Sequence, residues 1–137
     1  MDTINKIQIL SLKPGKELDK IVAMNIFKEY MTFTEGKNGK EFVITIDKGT
    51  KNERAYWEEF WEPSTIVQLA FVVVDELHRR GDCLSLSYTT GLFQDDFNRF
   101  GYIARFRRYP CRYGISENAA EAICKAALLT LVEVKAK

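Results

Sequence analysis

In three stretches of this 137-residue chain apolar positions recur every three or four residues, and between those stretches they alternate. After Lys13-Pro14-Gly15, the residues Leu18, Ile21, Val22, Asn25 and Ile26 fall on one side, with Lys16, Glu17, Asp19 and Lys20 on the other. That spacing predicts an amphipathic helix over Lys16–Phe27, its stripe interrupted by Asn25. Met31 to Thr34 then leads into the Gly- and Asn-rich run Glu35 to Lys40. In Glu41 to Ile46, Phe42, Ile44 and Ile46 alternate against Val43 and Thr45. A turn of that composition between two β-type segments reads as a hairpin, and Asp47 to Glu53 as a polar loop.

Pro63 closes an acidic, aromatic segment, Tyr56 to Glu62. Ser64 is the expected N-cap of a second helix over Thr65–Arg79, with Gly81 as its left-handed terminator. Ile66, Val67, Leu69, Ala70, Val73, Val74 and Leu77 make this helix apolar over more than half its circumference, so heavy burial is expected. Cys83 to Tyr88 and Phe100 to Arg107 alternate as strands, and their closeness predicts an antiparallel pair. Pro110 ends the second strand. Ser116 is the expected cap of a last helix over Glu117–Val134, with Ala120, Ile123, Ala127, Leu131 and Val134 as its stripe. The predicted order is α-β-β-α-β-β-α. It describes a single α+β domain over residues 1–137, with a largely antiparallel sheet covered by helices in an α/β/α sandwich-like arrangement.

Charge is distributed unevenly. Arg99, Arg105, Arg107, Arg108 and Arg112 lie among Phe97, Phe100, Tyr102, Phe106, Tyr109 and Tyr113, while the first half of the chain takes its positive charge mainly from lysine. Arginine presents a planar fork to phosphate or carboxylate and stacks on rings, so the segment suits a ligand bearing phosphate and base. The competing reading is a solvated strand whose arginines pair with nearby acids. The formal net charge of +1 supplies no long-range field toward a duplex or an anionic membrane, which makes nucleic acid the weaker partner.

No apolar run approaches the roughly 20 residues of a membrane span. The start, Met1 to Leu12, has no basic region and no small-residue cleavage site, which argues against a secretory signal. Cys83, Cys111 and Cys124 form no Cys-x-x-Cys pair, and reduced thiols in a cytoplasmic protein are the simplest reading.

Several segments together resemble the small phage-encoded ABA sandwich domain family. Gly15 to Ala23 resembles its opening helix, and Pro63-Ser64-Thr65 leading into Phe71 to Leu77 its second helix. Tyr102 to Phe106 resembles its last strand and Ala119 to Leu129 its closing helix. Ile26 to Tyr30 departs from the Gly-Trp ending associated with the family, and the segment from Met31 to Trp61 is longer than usual. The resemblance implies a three-layer arrangement and a phage or prophage source in a bacterial host cell. It implies no activity.

Catalytic chemistry is sparse. His78 is the only histidine and falls at a helix end, where a cation meets the dipole. Asp75-x-x-His78 lacks a third metal ligand, and Asp95-Asp96 and Glu58-Glu59 read as a solvated loop and a solvated face. No Walker loop, Gly-x-Gly-x-x-Gly or nucleophile elbow occurs. The sparse chemistry leads to a non-enzymatic protein without metal or cofactor, and the resemblance implies a phage one. It would sequester a small phosphorylated, nucleotide-derived ligand such as a host immune signal, an anti-defence role. The expected site is Arg105, Arg107, Arg108, Tyr109, Arg112 and Tyr113, with Ser64 and Thr65 offering N–H groups to a second phosphate. The alternative is a module that binds a host or phage protein through Trp57, Trp61, Phe97 and neighbouring aromatics. Trp57 and Trp61 would then share one face of a helical turn. A third reading is an enzyme without a recognised motif. The alanine-rich last helix and the Trp57, Phe60 and Trp61 cluster predict a homo-oligomer, a symmetric dimer or a multiple of it.

Overall fold

The computed structural model describes residues 5–36, 39–108 and 112–132. Ten elements follow one another: α1 (Lys6–Ser11), α2 (Lys16–Ile26), β1 (Met31–Gly36), β2 (Gly39–Ile46), β3 (Arg54–Trp57), α3 (Val67–Arg79), β4 (Leu84–Thr89), β5 (Gly101–Phe106), β6 (Tyr113–Ser116) and α4 (Ala119–Leu129). The fold is the expected α+β class with antiparallel pairing throughout. The strands divide into two sheets, β1-β2-β3 and β4-β5-β6. Two third strands, β3 and β6, and the short helix α1 extend the predicted order. The strands are four residues each and α1 six, too short for their periodicity to stand out. The last helix runs from Ala119 to Leu129, inside the expected Glu117–Val134, so Leu131 falls past its end. Val134 and the turn at positions 37 and 38 lie outside the described residues.

The molecule is built around α4. Residues Ala122 to Leu129 are buried without a break, so this helix is covered on all sides and not along one stripe. It packs on β5 and β6 and against α1, α2 and α3. Its alanines permit close approach, and Gly114 on β6 sets how close. A methyl group there would collide with the Ala122 carbonyl oxygen and lie 3.0 Å from the Ala126 nitrogen. Alternation puts Tyr102, Ala104 and Phe106 of β5 on the helix side and Ile103 and Arg105 on the other.

On the first sheet, Phe42, Ile44 and Ile46 enter the same core cluster. Trp61 is its largest fully buried side chain, edge-on to Phe27 at 5.2 Å, with its indole N–H donating to the Asp19 carbonyl at 3.0 Å.

Helix ends differ from expectation where tertiary partners compete. Gly81 terminates α3 as predicted, at φ +88°, with the Gly81 N–H on the His78 carbonyl and the Asp82 N–H on that of Leu77. Ser64 does not cap α3, which starts at Val67 behind Ile66 without a side-chain cap. Ser64 is fully buried instead, giving its N–H to Asp19 Oδ1 at 2.8 Å and accepting the Gly15 N–H at 2.9 Å. Nor does Ser116 cap α4. Asn118 does, accepting the Ala120 N–H at 2.9 Å, while the Ser116 hydroxyl donates to Glu121. The heavy burial expected of α3 is met on one side only, with Val67 and Phe71 about 40% exposed on the other. No helix among the described residues is long and apolar enough to cross a membrane.

Candidate functional site

The arginine segment leaves β5 toward the place where three helices end. There Arg80, just past α3, donates to the Ile26 carbonyl at the end of α2, and Arg108 donates to the Arg80 carbonyl at 3.3 Å. Arg112 donates to the Leu129 and Val132 carbonyls beyond α4 at 3.0 and 2.7 Å. The last carbonyls of a helix have no intrahelical donor and carry the negative end of its dipole, so a guanidinium is a good terminator. Backbone carbonyls thus take up guanidinium groups of all three arginines, and Arg80 also pairs with the Glu76 carboxylate at 2.9 Å. Arg99 is held as well, by Asp95 at 3.1 Å and Glu117 at 2.8 Å, over the ring of Phe93 at 4.0 Å.

Two members of the expected site are left. Arg105 and Arg107 have no side-chain hydrogen bond or ion pair with described residues. Arg105 lies opposite Tyr113 on the face of the sheet turned away from α4, and Tyr113 is partly exposed. Tyr109 falls outside the described residues.

Ser64 and Thr65 are not brought to this place. The Ser64 carbonyl accepts from the Asn118 side chain, at the start of α4, whereas Arg112 sits at its end. Eleven helical residues separate the two, about 16 Å, more than one phosphate group can bridge. Thr65 is exposed, with its hydroxyl on the Glu62 carbonyl.

The tryptophans also part company. Trp57 ends β3 and is 41% exposed, a 3₁₀ turn covers Glu58–Phe60, and Trp61 is fully buried. The shared helical face therefore does not exist. Phe97 is 66% exposed in the loop between β4 and β5.

Nothing in the residue pattern signals the polar network at the start of α4. Lys125 is buried, pairs with Glu121 at 2.9 Å and donates to the Leu10 carbonyl behind α1 at 3.2 Å. Burial raises the Asp19 carboxyl above its usual 3.8, opposed by its hydrogen bonds from Ser64. Burial also pushes the Cys124 thiol well above its usual range, and the carboxylates of Asp19 and Glu121 push the same way. A thiol so held carries little thiolate and is a poor nucleophile. The network ties α1, α2 and α4 together. Beside it, a cleft of about 310 Å³ is lined by Lys16, Lys20, Phe42 and Trp61 among others, but Lys16 is bonded to the Glu59 carbonyl at 2.9 Å. His78 and Asp75 are exposed, and among the described residues no group of three or more His, Cys, Asp or Glu could hold a metal ion.

A further feature of the surface is β4. It is an edge strand, Leu84-Ser85-Leu86-Ser87-Tyr88-Thr89, without a charge or a proline, and every residue after Leu84 is exposed. Edges are ordinarily protected by such residues, by bulges or by a covering element. Leu86 and Tyr88 lie opposite Ala104 and Tyr102, hence on the α4 side of the sheet, which continues past the helix uncovered. Tyr88 stacks on Phe100 at 5.0 Å and leans on Tyr102 at 4.7 Å. Tyr88 is 58% exposed and Phe100 52%. The signal was present in the sequence as the uncharged run from Cys83 to Gln94.

No protein-family model matches the chain, and neither a curated protein nor a solved structure matches it.

Proposed function

We propose that this protein is a non-catalytic interaction module that takes up a protein strand along β4. The observation that carries the reading is the edge itself: six uncharged residues with exposed aromatic and aliphatic side chains continuing onto Phe100. Strand addition supplies affinity through main-chain hydrogen bonds and specificity through alternate side chains, and β4 offers both. The aromatic part of the surface is Tyr88, Phe97 and Phe100, with Trp57 as a separate exposed ring and Trp61 serving the core.

A second reading rests on one observation, the absence of a carboxylate partner for Arg105 and Arg107 among the described residues. With Tyr113 beside them they suit a small phosphorylated, base-bearing ligand, as a phage protein sequestering a nucleotide-derived host signal would require.

Native mass spectrometry of protein recovered from expressing cells, with and without denaturing release of small molecules, separates the two. The module reading predicts protein complexes that disappear in Leu86→Lys and persist in Arg105→Ala. The ligand reading predicts a released small molecule, lost in Arg105→Ala. A monomer with no bound mass contradicts both.

A further inference from the structure

Resting on the module reading, we propose that the strand β4 receives is β4 of a second copy. The two would pair antiparallel about a two-fold axis, joining the β4-β5-β6 sheets into one of six strands.

Backbone direction comes first. The Arg107 N–H donates to the Cys83 carbonyl at 2.8 Å, and these two positions continue the register that pairs Leu84 with Phe106. In an antiparallel ladder, residues bonded to one neighbour alternate with residues turned to the other side. Odd-numbered residues of β4 therefore face β5, and Leu84, Leu86 and Tyr88 turn their N–H and C=O groups outward.

Symmetry and apolar matching then select a register. A two-fold axis normal to the sheet requires paired residues to share a face, so their numbers must sum to an even value. Of the two most central registers, the one about Ser87 sets Leu84 against Thr90, whereas the one about Leu86 places Leu86 against Leu86 of the second copy and Leu84 against Tyr88 of it. All three pairs, counting the reciprocal one, join outward-turned residues. Each apolar side chain meets another apolar side chain on the α4 side, and on the opposite face the serines meet serines.

Charge supports the same partner. Arg107 and Arg108 lie beyond the Leu84 end of the edge, and the loop past Thr89 carries Asp95 and Asp96 against one cation, Arg99, which is paired with Asp95. Antiparallel pairing brings the basic end of each copy alongside the acidic loop of the other. A parallel arrangement would set like against like. Complementarity of that kind favours one orientation over its alternatives.

The test uses the full chain. Light scattering at micromolar concentration should give a dimer for the parent and a monomer for Leu86→Lys, with unchanged far-ultraviolet circular dichroism. In a Cys83→Ser background, Leu86→Cys should oxidise to a covalent dimer. The two Cα atoms would be about 5.5 Å apart in a bonded antiparallel pair, within disulfide reach. Thr89→Cys, which lies opposite position 83 in this register, should not cross-link in that background. A monomeric parent, or a dimer that survives Leu86→Lys without Leu86→Cys cross-linking, overturns self-pairing. A monomer that still forms a Leu86-dependent complex with another protein overturns self-pairing alone and leaves the module reading standing.

Discussion

Two ends of the same hairpin, β4 with β5, are opposite in character. Where β5 runs out, Arg108 and, further along the chain, Arg112 are taken up by carbonyls at the ends of α3 and α4, while Arg80 closes α2. Along β4 the chain offers nothing as conspicuous as an arginine cluster, yet its outward-turned backbone has no partner among the described residues and its rings, stacked on one another, stay exposed. Conspicuous charge and unmet bonding are different things. Arg80, Arg108 and Arg112 meet the places where three helix dipoles end, and that convergence accounts for two arginines of the segment, Arg108 and Arg112. Among the described residues, the outer edge of β4 has no strand paired to it.

Substitutions can break this contrast in order of expected effect. Gly114→Val drives a side chain into the backbone of α4, the helix on which both ends rest. It should destabilise by about 3 kcal/mol or more, since the obstacle is main chain and not a flexible side chain, and chemical denaturation would measure it. Arg112→Ala removes two charge-assisted hydrogen bonds to α4 carbonyls and should cost about 1.5–3 kcal/mol. Arg105→Ala, with no partner to lose among the described residues, should fall within about 0.5 kcal/mol of the parent. Equal losses in the two variants would erase the distinction drawn between them. Arg107→Glu should leave stability unchanged and weaken self-association about two- to fivefold, an effect that added salt suppresses.

The smallest effect is one of pH. Asp19 is more readily protonated in the folded chain than at its usual value of 3.8. The folded state then binds more protons across that window, so its contribution to stability is full below 3.8 and is lost as pH rises through the elevated folded value. Asp19→Asn keeps an acceptor for the Ser64 N–H and should flatten that decline, as acid-range denaturation curves would reveal.

Much of the fold was legible because long periodic segments carry their own signal. Leu18, Val22 and Ile26 marked α2, and the alternation from Phe100 to Arg107 marked β5, though not which of its sides is covered. Short elements were not legible. Four residues from Arg54 to Trp57 or from Tyr113 to Ser116 are strands because neighbours bond to them. Ser64 and Ser116 look like helix caps locally, but Gly15, Asp19 and Glu121 claim them from distant or competing positions. Of the residues expected to form a site, Arg105 and Tyr113 do adjoin, whereas Ser64 and Arg112 serve opposite ends of α4. Residue type shows what a side chain can bond. Which bond it makes depends on how the helices converge, and that is a property of the assembled chain.

The most direct measurement is amide hydrogen exchange at Leu86 and Tyr88 over a dilution series. The account predicts protection at micromolar concentration that disappears on dilution and in the Leu86→Lys variant, while the Ala126 and Ala127 amides of α4 stay protected throughout. Rapid exchange of Leu86 and Tyr88 at every concentration would contradict it.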